Sequence, residues 1–128
     1  MIAFYNQAIR FSLVGFINTT IGLMAIYFAI EVLNATPYIA NAIGYVIGFI
    51  VSFILNNLWT FRNTNPLLEV LPRYMITLII SYILNLLVLT IAIKNLNTDP
   101  FISQLFGVSA YTLTMFLSCK YYVFKRLK

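Results

Sequence analysis

Four stretches of this chain, roughly residues 11–33, 38–59, 74–96 and 101–123, are each long and apolar enough to cross a lipid bilayer, and together they take up most of its 128 residues. A spanning helix needs about 20 mostly apolar residues to cross about 30 Å of hydrocarbon. The expected fold is therefore an all-α membrane protein with four transmembrane helices. Only short ends and one modest loop are left for water. The chain is 62% hydrophobic and 9% charged, whereas a soluble domain carries about 25% charged residues. The first apolar run is too long for a cleavable signal peptide and is followed by no small-residue cleavage site, so it is expected to stay as the first span. Nothing reads as a linker, and residues 1–128 are expected to form a single transmembrane domain.

The same composition removes most chemistry. Histidine is absent and Cys119 is the single cysteine, which excludes a His/Cys metal cluster, an internal disulfide and histidine-assisted nucleophiles. Glu31, Glu69 and Asp99 are the three acidic residues and are scattered, a poor basis for paired carboxylate catalysis. No glycine-rich phosphate loop is present. Neither an enzyme, a metal nor a cofactor is expected.

The net charge of +5 is better explained by membrane topology than by nucleic acid. Arg10 precedes the first span, Arg62 and Arg73 flank the loop after the second, and Lys120, Lys125, Arg126 and Lys128 close the fourth. Lys94 alone falls on the other side. The positive-inside rule places both termini and the 60–73 loop in the cytoplasm of a multi-pass cell-membrane protein. Trp59, Phe61, Tyr74, Tyr121 and Tyr122 are expected at the inner boundary, and Tyr38 and Phe101 at the outer one, where amphipathic rings collect.

Sliding the chain so that Arg10 falls on Arg73 brings its halves into register without a gap. Leu33-Asn34 then meets Leu96-Asn97, Pro37-Tyr38-Ile39 meets Pro100-Phe101-Ile102, and Gly44 meets Gly107. Trp59-Thr60-Phe61-Arg62 meets Tyr122-Val123-Phe124-Lys125. Each copy, about 10–62 and 73–125, holds two spans, which predicts two tandem helical hairpins in a parallel repeat. Two hairpins under one set of membrane constraints would also converge somewhat.

Polar and small residues inside the spans follow helical spacing. Gly15, Asn18 and Gly22 share a face of span one. Gly44, Gly48, Ser52 and Asn56 form a stripe on span two, Asn85 lies in span three and Gly107 in span four. The glycines, Gly15, Gly22, Gly44, Gly48 and Gly107, are read chiefly as helix-packing positions, with the span-two stripe as the natural interface for a homo-oligomer. The amides of Asn18, Asn56 and Asn85 need protein, water or a polar ligand beside them. Arg10, Arg62, Arg73 and Lys120 should share one depth. They suit either capture of a phosphate or ordinary contact with anionic membrane lipid. Glu31 and Lys94 take equivalent, oppositely charged outer positions.

Arg10-Phe11, Val14-Gly15 and Asn18-Thr19, then Ser52-Phe53-Ile54-Leu55-Asn56 leading into Trp59-Thr60-Phe61-Arg62, and finally Lys120-Tyr121-Tyr122-Val123-Phe124 resemble the GtrA-like family of small four-span membrane proteins. The resemblance covers essentially the whole chain. One departure is Asn57, where the family usually has a basic residue; Lys120 holds the equivalent place in the second copy. The resemblance implies translocation of a polyprenyl-phosphate-linked monosaccharide from the cytoplasmic to the outer leaflet for cell-surface polysaccharide, with a separate membrane glycosyltransferase consuming it. Arg10, Arg62, Arg73 and Lys120 would then bind the lipid phosphate, and Asn18, Ser52, Asn56 and Asn85 would form a track for the sugar. The alternative is a non-transporting accessory subunit that scaffolds such a transferase. A small cation exporter would need an acidic residue deep in span one, and a channel would need a charged ring or filter loop; neither pattern is visible.

Overall fold

The computed structural model describes residues 2–125, with side chains from residue 4 onward except at 37, 38, 100 and 101. The rings expected at Tyr38 and Phe101, and the basic residues Arg126 and Lys128, lie outside what is described. All regular structure among the described residues is helical. Four helices are long and apolar enough to cross a membrane. The chain divides into two compact units, Met1–Asn63 and Thr64–Lys128.

In the first unit α1 (Ile2–Glu31) and α2 (Pro37–Leu55) form a hairpin, and α2 runs directly into a π-wound turn over Asn56–Thr60. The second unit repeats this plan with α3 (Leu67–Lys94), α4 (Pro100–Ser118) and a π-wound turn over Cys119–Val123. Thirty residues of α1 correspond to about 45 Å of helix, more than the hydrocarbon needs, so its first turns reach beyond the span predicted from residue 11. Helix α3 likewise starts at Leu67, ahead of Pro72. Pro72 removes one helical N–H. The turn survives because backbone N–H groups of Glu69 and Val70 donate to Pro66 O at 3.1 and 3.3 Å, and Glu69 faces the positive end of the helix dipole.

The tight turns are built alike. Asn34 and Asn97 take φ 52° and 49°, the left-handed conformation that asparagine tolerates better than most residues. This lets the N–H of Ala35 donate to Ala29 O at 2.9 Å and that of Thr98 to Ala92 O at 3.0 Å, satisfying carbonyls the helix end leaves over. The next helix starts under a side-chain cap in each case. Thr36 Oγ1 accepts from Ile39 N at 3.5 Å and Asp99 Oδ1 from Ile102 N at 3.3 Å. Pro37 and Pro100 open α2 and α4, where a missing N–H costs nothing.

The seam of the first hairpin is lined by small residues, and that of the second by larger ones. Val14, Ala29 and Ala40 are buried in the first unit; Val70, Tyr74, Ala92 and Met115 in the second. Most large apolar side chains, among them Phe16, Leu23, Tyr45 and Ile83, are exposed, as suits a surface whose solvent is lipid. Three exposed threonines on the spans are satisfied locally. Thr19 Oγ1 donates to Gly15 O, Thr20 Oγ1 to Phe16 O and Thr90 Oγ1 to Leu86 O at 3.0, 3.0 and 2.7 Å.

Candidate functional site

The π turn Asn56–Thr60 is the last turn of its helix, so its final carbonyls have no following intrahelical donors. Phe61 N–H reaches back to Asn56 O at 2.9 Å, a five-residue step. Trp59 O accepts instead from Arg10 Nη1 at 3.1 Å, and the Arg10 guanidinium lies 5.6 Å from the centroid of the Trp59 ring. Arg10 therefore caps the second helix of its hairpin from the first turns of α1, with hydrogen bond and cation–π contact combined. The second unit places Arg73 5.6 Å from the ring centroid of Tyr122. The neighbouring rings are also equivalent. Phe11 and Phe61 stand edge to face at 6.2 Å, and Tyr74 and Phe124 are tilted at 6.2 Å. Phe124 N–H closes its π turn onto Cys119 O at 2.9 Å.

Arg62 has φ 48°. Its backbone ends the first π turn as Asn34 ends α1, since Asn63 N–H then donates to Asn57 O at 2.8 Å. The side chain is exposed. Lys120 is partly buried, with Nζ 5.6 Å from the Tyr121 ring centroid. Asn65 Nδ2 donates to Lys125 O at 2.8 Å and fastens the entry of α3 to the end of its own hairpin. So the predicted phosphate ligands divide by unit, Arg10 and Arg62 in the first, Arg73 and Lys120 in the second. Each set stands at the π-wound end of its hairpin. Glu31 and Lys94 close α1 and α3 at the other ends, where a helix dipole favours the lysine.

The predicted polar track is also divided. Asn56 is buried, and its Nδ2 donates to Ser52 Oγ at 3.3 Å. Asn18 lies against Gly48, whose hypothetical Cβ would stand 2.7 Å from Asn18 Oδ1. Those three polar residues share the seam of the first hairpin. Asn85 belongs to the second, where a Cβ on Gly107 would stand 2.9 Å from Asn85 Oδ1.

Among the glycines, Gly22 and Gly44 mark the closest backbone approach. A Cβ on Gly44 would meet Gly22 O at 2.9 Å and overlap the Ile26 side chain. Gly44 and Gly48 are turned to α1 within their own hairpin, as helix-packing positions. Gly15 packs against no neighbour among the described residues of this chain. It is exposed, and a Cβ there would meet nothing within 4 Å.

Sequence reading missed Asn57 and Thr60, both buried on the first π turn, 6% and 2% exposed. Their signal was in the repeat itself. Asn56, Asn57 and Thr60 align with Cys119, Lys120 and Val123, so one copy is polar where the other is mainly not.

Two hairpins of spanning helices, each ending in a π turn with a guanidinium on an aromatic ring, define a multi-pass membrane protein with its basic residues gathered chiefly at the helix ends. The family model for the GtrA/DPMS transmembrane domain matches residues 10–124, and the chain belongs to that family. The family comprises small membrane proteins with a glycosyl-lipid-related role and is not one of catalytic enzymes. No curated protein and no solved structure matches the chain.

Proposed function

We propose that this protein moves a polyprenyl-phosphate-linked monosaccharide from the cytoplasmic to the outer leaflet, where a membrane glycosyltransferase uses it for cell-surface polysaccharide. Family membership supports the glycosyl-lipid context. The observation that carries the mechanism is the pairing of Arg10 with Trp59 and of Arg73 with Tyr122 at the π-wound hairpin ends. A guanidinium has five N–H donors in a fixed fork; Arg10 spends one on Trp59 O and keeps others for a phosphate. Arg62 and Lys120 add charge at the same ends. By the positive-inside rule these ends, and with them both termini, face the cytoplasm, the side on which the lipid is loaded. The exposed apolar surface of the helices suits the prenyl tail, a second copy of the chain or a transferase.

The test is movement of a polyprenyl-phosphate monosaccharide between leaflets of liposomes containing the purified protein. The native chain is expected to accelerate exchange above protein-free liposomes, and Arg62→Gln combined with Lys120→Gln to slow it. Full activity in that variant removes the phosphate role of those side chains. No acceleration by the native chain overturns translocation and favours the scaffold for a transferase.

A further inference from the structure

Residues four apart on α2 form a file along the seam with α1, comprising Gly48, Ser52, Asn56 and Thr60. In an α-helix such a file drifts by about 40° per step. The wider winding of Asn56–Thr60 takes that drift back and holds Thr60 over Asn56 on the buried side. Asn18 enters the file across Gly48. From Thr60 to Gly48 it extends about 18 Å along the helix at the usual rise.

Four side-chain oxygens in this seam are buried and have no hydrogen-bond partner: Asn18 Oδ1, Asn56 Oδ1, Asn57 Oδ1 and Thr60 Oγ1. Their residues are 1%, 6% and 2% exposed at Asn56, Asn57 and Thr60. Buried polar atoms are ordinarily paired, and each exception calls for a cause. The contrast within the molecule is sharp, since the lipid-exposed threonines satisfy their hydroxyls on their own helix. It is sharper against the second unit, whose equivalent file is Tyr111, Met115, Cys119 and Val123. There Met115, Cys119 and Val123 are buried, and Ser81 Oγ is satisfied on Met115 Sδ at 3.8 Å.

We infer that the seam of the first hairpin alone receives the neutral, hydroxyl-rich head of the ligand, with Asn57 and Thr60 at its entrance and Asn56 and Asn18 further in. The chemistry selects the class. Three of the unpaired atoms are amide oxygens that accept and the fourth, the Thr60 hydroxyl, can donate or accept, so together they complement sugar hydroxyls, while the phosphate stays with the cations at the hairpin end. The second hairpin, apolar along the same file, holds no sugar. This rests on the glycosyl-lipid reading above and names which part of that lipid each segment takes.

The experiment compares two probes, a polyprenyl-phosphate hexose and the same polyprenyl phosphate without sugar, bound to the full-length chain in phosphatidylcholine nanodiscs and read by native mass spectrometry. The native protein is expected to prefer the glycosylated lipid by tenfold or more. Thr60→Val and Asn57→Leu should each reduce that preference about tenfold, the equivalent of one lost hydrogen bond of about 1.4 kcal/mol, with sugar-free binding unchanged. Thr60→Ser keeps the oxygen and should keep the preference; Met115→Leu in the second seam should also leave it intact. Equal affinity for the two lipids overturns the inference. So does a preference that survives Thr60→Val with Asn57→Leu, or one lost equally in Thr60→Ser. A native chain that binds the glycosylated lipid but leaves it in one leaflet defeats translocation while leaving this site in place.

Discussion

Replacing Gly44 by alanine should separate the helices of the first hairpin, and the structure sets the size of the effect. The added methyl would lie 2.9 Å from Gly22 O and 2.7 Å from Ile26 Cδ1. Ile26 Cγ1 is closer still, on a β-branched side chain with one strongly preferred helical rotamer, and Gly22 O is backbone. Ordinary contact begins at 3.4 Å, so the seam has to open by about 0.5 Å, the difference between 3.4 and 2.9 Å. Overpacking of this kind costs about 1–3 kcal/mol, and exchanging glycine for alanine in a helix returns about 1 kcal/mol. The net is a loss of up to about 2 kcal/mol. Gly15→Ala provides the opposite sign, because its methyl meets nothing within 4 Å and only the propensity gain remains, about 0.5–1 kcal/mol. Reversible unfolding in mixed micelles titrated with SDS, followed by far-UV circular dichroism, measures both. Shifts of the same sign and similar size in the two variants would show that the Gly22–Gly44 approach does not hold the hairpin.

Two further outcomes follow from the helix ends. Arg10→Gln loses a charged hydrogen bond of about 1.5–3 kcal/mol and a part-exposed cation–π contact of about 0.5–1 kcal/mol, whereas Arg73→Gln loses the ring contact and should cost less. Trp59 is the chain's one tryptophan, so its fluorescence should shift to the red in the Arg10 variant and stay put in the Arg73 variant; an unchanged Trp59 spectrum in both would refute the clamp. Pro72→Ala restores an N–H able to reach Leu68 O and should raise stability by about 1–3 kcal/mol, and a thermal midpoint that does not rise would place the strain elsewhere.

The spans, the tight turns and the recurrence between copies were legible because each follows from a local rule. Apolar length marks the helices, and Asn34 with Pro37, or Asn97 with Pro100, marks where they stop. The start of α3 at Leu67 lies ahead of the span expected from residue 74, because a proline six residues into a helix is tolerated when the first turn is otherwise bonded. The π turns had no signature, since residues 56–60 and 119–123 share no propensity that distinguishes five-residue from four-residue bonding. Asn56 and Ser52 stood out as amides and hydroxyls within hydrocarbon. Asn57 and Thr60 did not, because an α-helix would turn them partly away from the seam. Arg10 was recognised as a cation at headgroup depth, but its bond to Trp59 O joins residues 49 apart and depends on a carbonyl left open at the end of the helix.

A π turn is an α-helix that has absorbed one residue too many, so whatever follows it is swung by about 100° relative to an uninterrupted helix. The aromatic and basic tails after Asn56 and after Cys119 are aimed by that surplus residue, and removing one residue from either segment would leave composition and hydrophobicity nearly untouched while pointing Trp59 or Tyr122 away from its arginine. The orientation of each cationic rim is thus encoded in a count of residues and not in their kind.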